Sequence, residues 1–189
     1  MNDYHEELTF DQTSFSNLLP LRPSEFINCS FKAIDFSNQN FKNSKFLECQ
    51  FIDCNLSNVT LINAALRETL FIRCKLVGIN WAETQSLISP DFKECVLDYG
   101  VFQAMKLVQI NFTQCSIKDV DFFEANLSNA NFSESILSGT TFNKGNLTGA
   151  DFRGALDYYI DPRVTNIKKA RFNLPEALSL LSAMEIIIE

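Results

Sequence analysis

Large apolar side chains return every fifth residue along most of this chain. From Phe26 the beat runs through Phe31, Phe36, Phe41, Phe46, Phe51, Leu56, Leu61, Leu66, Phe71 and Leu76 to Trp81. It skips one residue and resumes at Phe92, then continues through Phe102, Phe112, Phe122, Phe132 and Phe142 to Phe152, with Leu or Ile between. Such a period matches neither an α-helix nor a plain strand, and self-similarity at a fixed period signals a repeat architecture. Two residues before each beat sits a slim side chain, among them Cys29, Ser44, Cys49, Val59, Ala64, Ala125 and Ala150. Residues two apart on extended backbone share a side, so each unit points one large and one small group inward. The other three positions are polar and either face water or turn a corner. A longer period is superimposed: Phe92, Phe112, Phe132 and Phe152 are 20 apart, as stacked coils of four units require.

Units such as Ala125-Asn126-Leu127-Ser128-Asn129 and Ala150-Asp151-Phe152-Arg153-Gly154 resemble the pentapeptide-repeat family, whose consensus reads A-(D/N)-(L/F)-(S/T/R)-G. The resemblance runs over roughly residues 10–172. It implies an all-β fold, a right-handed quadrilateral parallel β-helix, with four units to each square turn. On that reading residues 1–172 are the solenoid, irregular at 16–25 and 82–91, and residues 173–189 form a C-terminal cap of short helix and strand.

Composition narrows the function. The chain holds 18 Phe in 189 residues, but they are spaced, and no run approaches the roughly 18–20 apolar residues that cross a bilayer. The N-terminus is acidic and lacks an apolar core, which predicts no signal peptide and a cytoplasmic location. All six cysteines occupy the small inward slot, in pairs 20 apart: 29 with 49, 54 with 74, 95 with 115. Neighbouring coils would point such side chains in parallel rather than toward each other, so buried thiols are favoured over disulfides. The single histidine, His5, lies ahead of the beat and no Cys-x-x-Cys occurs, so neither metal nor cofactor is expected. Without a phosphate loop or a nucleophile paired with histidine the chain reads as no enzyme. A pI near 4.8 and the lack of a basic stripe disfavour direct nucleic-acid binding.

Function is sought where the beat breaks. Residues 82–91 either project as a loop, offering Glu83, Gln85, Leu87 and Ile88 to a partner, or merely absorb one extra residue as a bulge. After Asp161-Pro162 a partial coil through Ile167 and Phe172 is expected. Asn173-Leu174-Pro175-Glu176 then predicts a capped helix start. That helix would align Leu174, Ala177, Leu178, Leu181 and Met184, ahead of a strand at Ile186-Ile187-Ile188. This is more apolar surface than one solenoid end requires. A homodimer joined through Leu178, Leu181, Met184, Ile186, Ile187 and Ile188 is favoured over a monomeric cap.

The tail from Asp161 to Ile167, with its helix and terminal Ile cluster, resembles the branch that holds the Qnr proteins, MfpA and McbG; the spacing from Gly78 through Cys95 resembles McbG. The resemblance implies rod-like dimers that engage DNA gyrase or topoisomerase IV by imitating duplex DNA, and protection of that enzyme from toxins or quinolones. About eight coils at roughly 4.8 Å give a rod near 40 Å, or about 80 Å for a dimer, a length over which DNA carries about 47 phosphates. Two chains at −7 supply −14, so the acidity must be concentrated to matter. Residues 82–189 hold 14 acids and 9 bases, against 9 and 7 in residues 1–81. The candidate column is Asp91, Glu94, Glu134 and Asp151, with Asp119, Asp121 and Glu124 on adjoining faces, diluted by Lys93 and Arg153. Ordinary solubilising charge is the rival account of this column. A scaffold for an unrelated protein partner is the rival function.

Overall fold

The computed structural model describes residues 3–17 and 22–184. Its strands are β1 (Asp3–Glu6), β2 (Thr9–Phe10), β3 (Ser24–Ile27), β4 (Ser30–Lys32), β5 (Lys45–Leu47), β6 (Gln50–Ile52), β7 (Ala65–Arg67), β8 (Leu70–Ile72), β9 (Ser86–Ile88), β10 (Asp91–Lys93) and β11 (Asn111–Thr113). Every pairing is parallel. One wall is β1-β3-β5-β7-β9 and the next is β2-β4-β6-β8-β10-β11. The remaining walls, and the upper half of the rod, are held by single bridges such as Asn80↔Val101, Val101↔Asp121 and Asn126↔Asn146. The whole is a parallel β-solenoid.

Register places like on like. Phe31 pairs with Phe51, Phe51 with Phe71, Phe71 with Phe92 and Phe92 with Phe112. The rings stack face to face into one column: Phe10, Phe31, Phe51, Phe71, Phe92, Phe112, Phe132, Phe152, Phe172, with centroids 4.7–5.3 Å apart. A second column of Trp81, Phe102, Phe122 and Phe142 meets it edge-on, the geometry ring quadrupoles favour. Wall spacing and ring spacing agree, so each coil satisfies its backbone and its core at the same height.

Corners come in two kinds, both turning on a residue in the left-handed region two positions after the large side chain. In tight corners the backbone closes on itself, as where Gln39 N–H donates to Phe36 O at 2.9 Å. Asn, Asp or Gly commonly fills the left-handed place there, because these residues adopt positive φ most readily. In wide corners, which carry most of the cysteines, that bond is missing and the next coil supplies substitutes. Cys74 Sγ donates to Phe51 O at 3.3 Å, Cys49 to Phe26 O at 3.4 Å and Cys95 to Phe71 O at 3.4 Å. Thr69 and Ser135 hydroxyls do the same for Phe46 O and Phe112 O. In return Cys74 N–H reaches Cys95 Sγ, and Cys95 N–H reaches Cys115 Sγ, each at 3.4 Å. All six cysteines are buried free thiols. Burial pushes the Cys49 thiol up to about 12, and contact with Cys115 together with burial does the same for Cys95. Cys49 and Cys95 therefore keep the proton they donate.

Several expectations need correction. Of the two alternatives for residues 82–91, the structure has the bulge and not the projecting loop: Lys45↔Ala65 is an offset of 20 and Ala65↔Ser86 one of 21, so one residue is absorbed near the 3-10 turn Trp81–Glu83 and the chain rejoins both walls. Leu87 is consequently a core residue at 8 % exposure, while Glu83, Gln85 and Ile88 stay on the surface. His5 lies within the stack, pairing in register with Phe26 and stacking on it at 4.8 Å. Phe15 belongs to a short helix α1 (Gln12–Ser16), capped by the Asp11 side chain, rather than to a coil side. Asn173 does not cap the C-terminal helix. Its Oδ1 accepts from Gly154 N–H at 2.8 Å and closes the last corner, and the helix begins as a 3-10 turn (Glu176–Leu178) leading into α2 (Ser179–Ser182). Leu180 and Ala183 face the core. Ile186, Ile187 and Ile188 lie outside the described residues.

Candidate partner-binding surface

The position just before each large residue explains much of the acidity. On walls held by single bridges, the residue after the large side chain has an N–H with no partner in the coil below. The preceding Asp or Asn accepts it: Asp35 from Ser37, Asn131 from Ser133, Asp121 from Phe123, Asp151 from Arg153, at 2.8–3.1 Å. Short polar side chains bonding to backbone two residues on are a turn device. So Asp121 and Asp151 hold the fold first. Asp121 also accepts from Thr141 Oγ1 at 3.0 Å and from Gln103 Nε2; this donor set outweighs the cost of its partial burial and keeps its carboxyl below the usual range.

The four candidates of the main column do lie together. Asp91, Asn111, Asn131 and Asp151 are successive rungs of one wall, bridged in that order. Glu94 and Glu134 occupy left-handed corners beside it, and Glu134 accepts from Gln114 Nε2 at 2.8 Å. The negative charge is unevenly compensated. Asp151 is gripped by Arg153 (Nη2 to Oδ2 at 2.6 Å) with Arg171 at 3.9 Å, and the Arg153 guanidinium holds its carboxyl below the ordinary range. Glu94 has Lys93 at 3.7 Å and Glu124 has Lys144 at 3.4 Å. Among the described residues no cation pairs with Asp91, Glu134, Asp119 or Asp121. Asp119 stands at an exposed corner under Gly139, where a Cβ would collide with its Oδ1. Of the candidate acids, these four are uncompensated, Asp121 being held by neutral donors.

The C-terminal end presents a second surface. Leu174 is 74 % exposed, Leu178 42 % and Met184 44 %, with Leu181 half-buried beside them. These are the described members of the apolar face expected of the tail. No described helix is long and apolar enough to span a membrane, and no described cluster of His, Cys, Asp and Glu could hold a metal.

The family model for the pentapeptide repeat region matches residues 24–86 and 83–152. The chain belongs to the pentapeptide-repeat family. No curated protein matches the sequence. Among solved structures, a trypsin-treated point variant of QnrB1, a plasmid-mediated fluoroquinolone resistance protein, aligns over 100 % of this chain and 99 % of its own, with 17 % identity and a TM-score of 0.56. Full-length QnrB1 covers 98 % and 99 % at 15 % identity and TM-score 0.46. HetL, a protein of heterocyst differentiation regulation from Nostoc sp. strain PCC 7120, covers 88 % and 81 % at 15 % identity and TM-score 0.42. For this pentapeptide-repeat protein the alignment to QnrB1 carries the fold alone. The roles of the Asp and Asn rungs, and of the thiol donors, were not legible in the repeat pattern; the regular Asp/Asn before each large residue was the available signal.

Proposed function

We propose that this pentapeptide-repeat protein is a non-enzymatic binding protein that presents part of a DNA-like field to DNA gyrase or topoisomerase IV. The carrying observation is the set of candidate acids without a cation, Asp91, Glu134, Asp119 and Asp121, fixed on a rod of regular coils. A rigid array costs no ordering on binding, so even a few charges count toward association. QnrB1, similar in fold, is a fluoroquinolone resistance protein, which supports choosing these enzymes as targets. The exposed Leu174, Leu178 and Met184 would join two copies into a longer rod, doubling the array.

The test is gyrase supercoiling, with and without a quinolone, against rising concentrations of purified protein. Inhibition or rescue that weakens with salt and vanishes in E134K/D119K supports the reading. No effect on either topoisomerase from well-folded protein overturns it. A second reading, a scaffold for an unrelated protein, is favoured by the pairing of Asp151 with Arg153 and of Glu94 with Lys93, which thins the field. Binding to a partner that is indifferent to salt would select it.

A further inference from the structure

One wall of the solenoid is open at one level. The β1-β3-β5-β7-β9 wall ends at β9, and bridging on that side resumes only at Lys106↔Asn126. By the pattern of the other coils on this wall, as at Leu107, Leu127 and Leu147, Leu87 N–H should donate to Lys106 O and Ser89 N–H to Val108 O. Neither bond forms, although Leu107 and Gln109 N–H make the equivalent bonds to the coil above. The walls on the other sides are closed at this height, through Trp81 N–H to Val101 O and through β10 with β11. The cause is local. The inward slots flanking Leu107 hold Met105 and Ile110, and the corner below holds Pro90, which has no N–H to give. The turn bonds closing both flanking corners are stretched to 3.4 Å.

The opening is a cleft of about 300 Å³ between Leu87–Asp91 and Lys106–Asn111. Asp91 Oδ1 is buried at its edge with no hydrogen-bond partner. Ile88, 50 % exposed, and Val108, 39 % exposed, form an apolar rim. Unpaired donors on one lip, unpaired acceptors on the other and a carboxylate oxygen at the end describe what a peptide backbone with a cationic side chain would satisfy. A strand residue, about 3.3 Å along the chain and about 4.8 Å from its neighbour in a layer about 10 Å thick, takes roughly 160 Å³, so the cleft holds about two residues. We infer that this cleft is a recognition site for a short extended peptide segment bearing a lysine or arginine, its backbone paired to Leu87 and Ser89 and its cation to Asp91. The inference goes beyond the topoisomerase reading and stands whether or not that reading holds.

The experiment is titration of the full-length, ¹⁵N-labelled protein with the blocked tetrapeptide acetyl-Val-Lys-Val-Thr-amide, followed by amide NMR. The expected result is a saturable shift centred on Leu87 and Ser89. Asp91→Asn should weaken the lysine peptide by about tenfold, as loss of a charged hydrogen bond predicts, while leaving the Lys→Gln peptide unchanged. A peptide N-methylated at its lysine and following amide should bind neither protein. Absence of a saturable shift at millimolar peptide, equal binding by the N-methylated peptide, or equal loss of both peptides in Asp91→Asn would each overturn the inference.

Discussion

The lower coils, to about residue 98, mix wide and tight corners, whereas those above are mostly tight, and the two kinds solve one problem differently. Each corner must dispose of a carbonyl and an N–H that the walls cannot use. Wide corners pass the carbonyl to the next coil, through Cys49, Cys54, Thr69, Cys74 and Cys95, and at Cys74 and Cys95 the N–H as well. Above, tight corners close within the coil, as Ala125 to Phe122, Ala130 to Leu127 and Ala150 to Leu147, and an Asp or Asn rung takes the leftover N–H. The first solution needs a hydrogen on the small inward side chain. The second needs only that the side chain be small, so Ala and Gly serve. Cysteine here is a donor chosen by corner geometry.

The largest break in either region should come from the ring column they share. Phe92→Ala, at the junction, is expected to cost about 3–5 kcal/mol, measured by denaturant unfolding. Next, Cys74→Ala leaves Phe51 O without its donor and should cost about 1–3 kcal/mol. Cys74→Ser should recover most of that, since Ser135 already does the same work one corner type away. A matching Ala130→Ser change above should gain nothing.

The thiols also give the lower region a pH signature. The folded pKa values of Cys49, Cys54, Cys74 and Cys95 lie above the ordinary thiol value of 9.0, at about 12 for Cys49 and Cys95. The folded state holds these protons more tightly, so their contribution is complete below pH 9.0 and is lost as pH climbs toward about 12. Chemical denaturation across that range should show stability falling, and Cys→Ser variants should flatten the fall. At neutral pH a thiol reagent should label native protein only at the rate of unfolding. In the upper region, Asp151→Asn should keep the turn bond and Asp151→Ala lose it, a difference of about 0.5–1.5 kcal/mol. Smallest of all, Lys144→Ala removes an exposed pair with Glu124 and should change stability by less than about 1 kcal/mol.

The solenoid was legible because side-chain period alone determines it, and the columns from Phe92 to Phe152 could be counted before any coordinate was known. What escaped depends on where backbone groups point. The step at Trp81 to Phe92 was visible, but whether one extra residue projects or is folded into a 3-10 turn is decided by hydrogen bonds around Thr84. His5 was passed over because an imidazole does not look like Phe, although it stacks as one. Asp121 and Asp151 read as surface charge while serving as turn acceptors. Met105 and Pro90 did carry a signal, departing from the residues the slot usually holds, and they flank the open wall.

The missing rungs between Leu87–Ser89 and Lys106–Val108 have a mechanical consequence. In a stack whose hydrogen bonds run along its axis, tension is borne by all walls in parallel at each level and by successive levels in series. A level with one wall unbonded is a notch. Pulled from its ends, the rod should tear first at that height and part into two blocks, one of mixed corners and one mostly of tight.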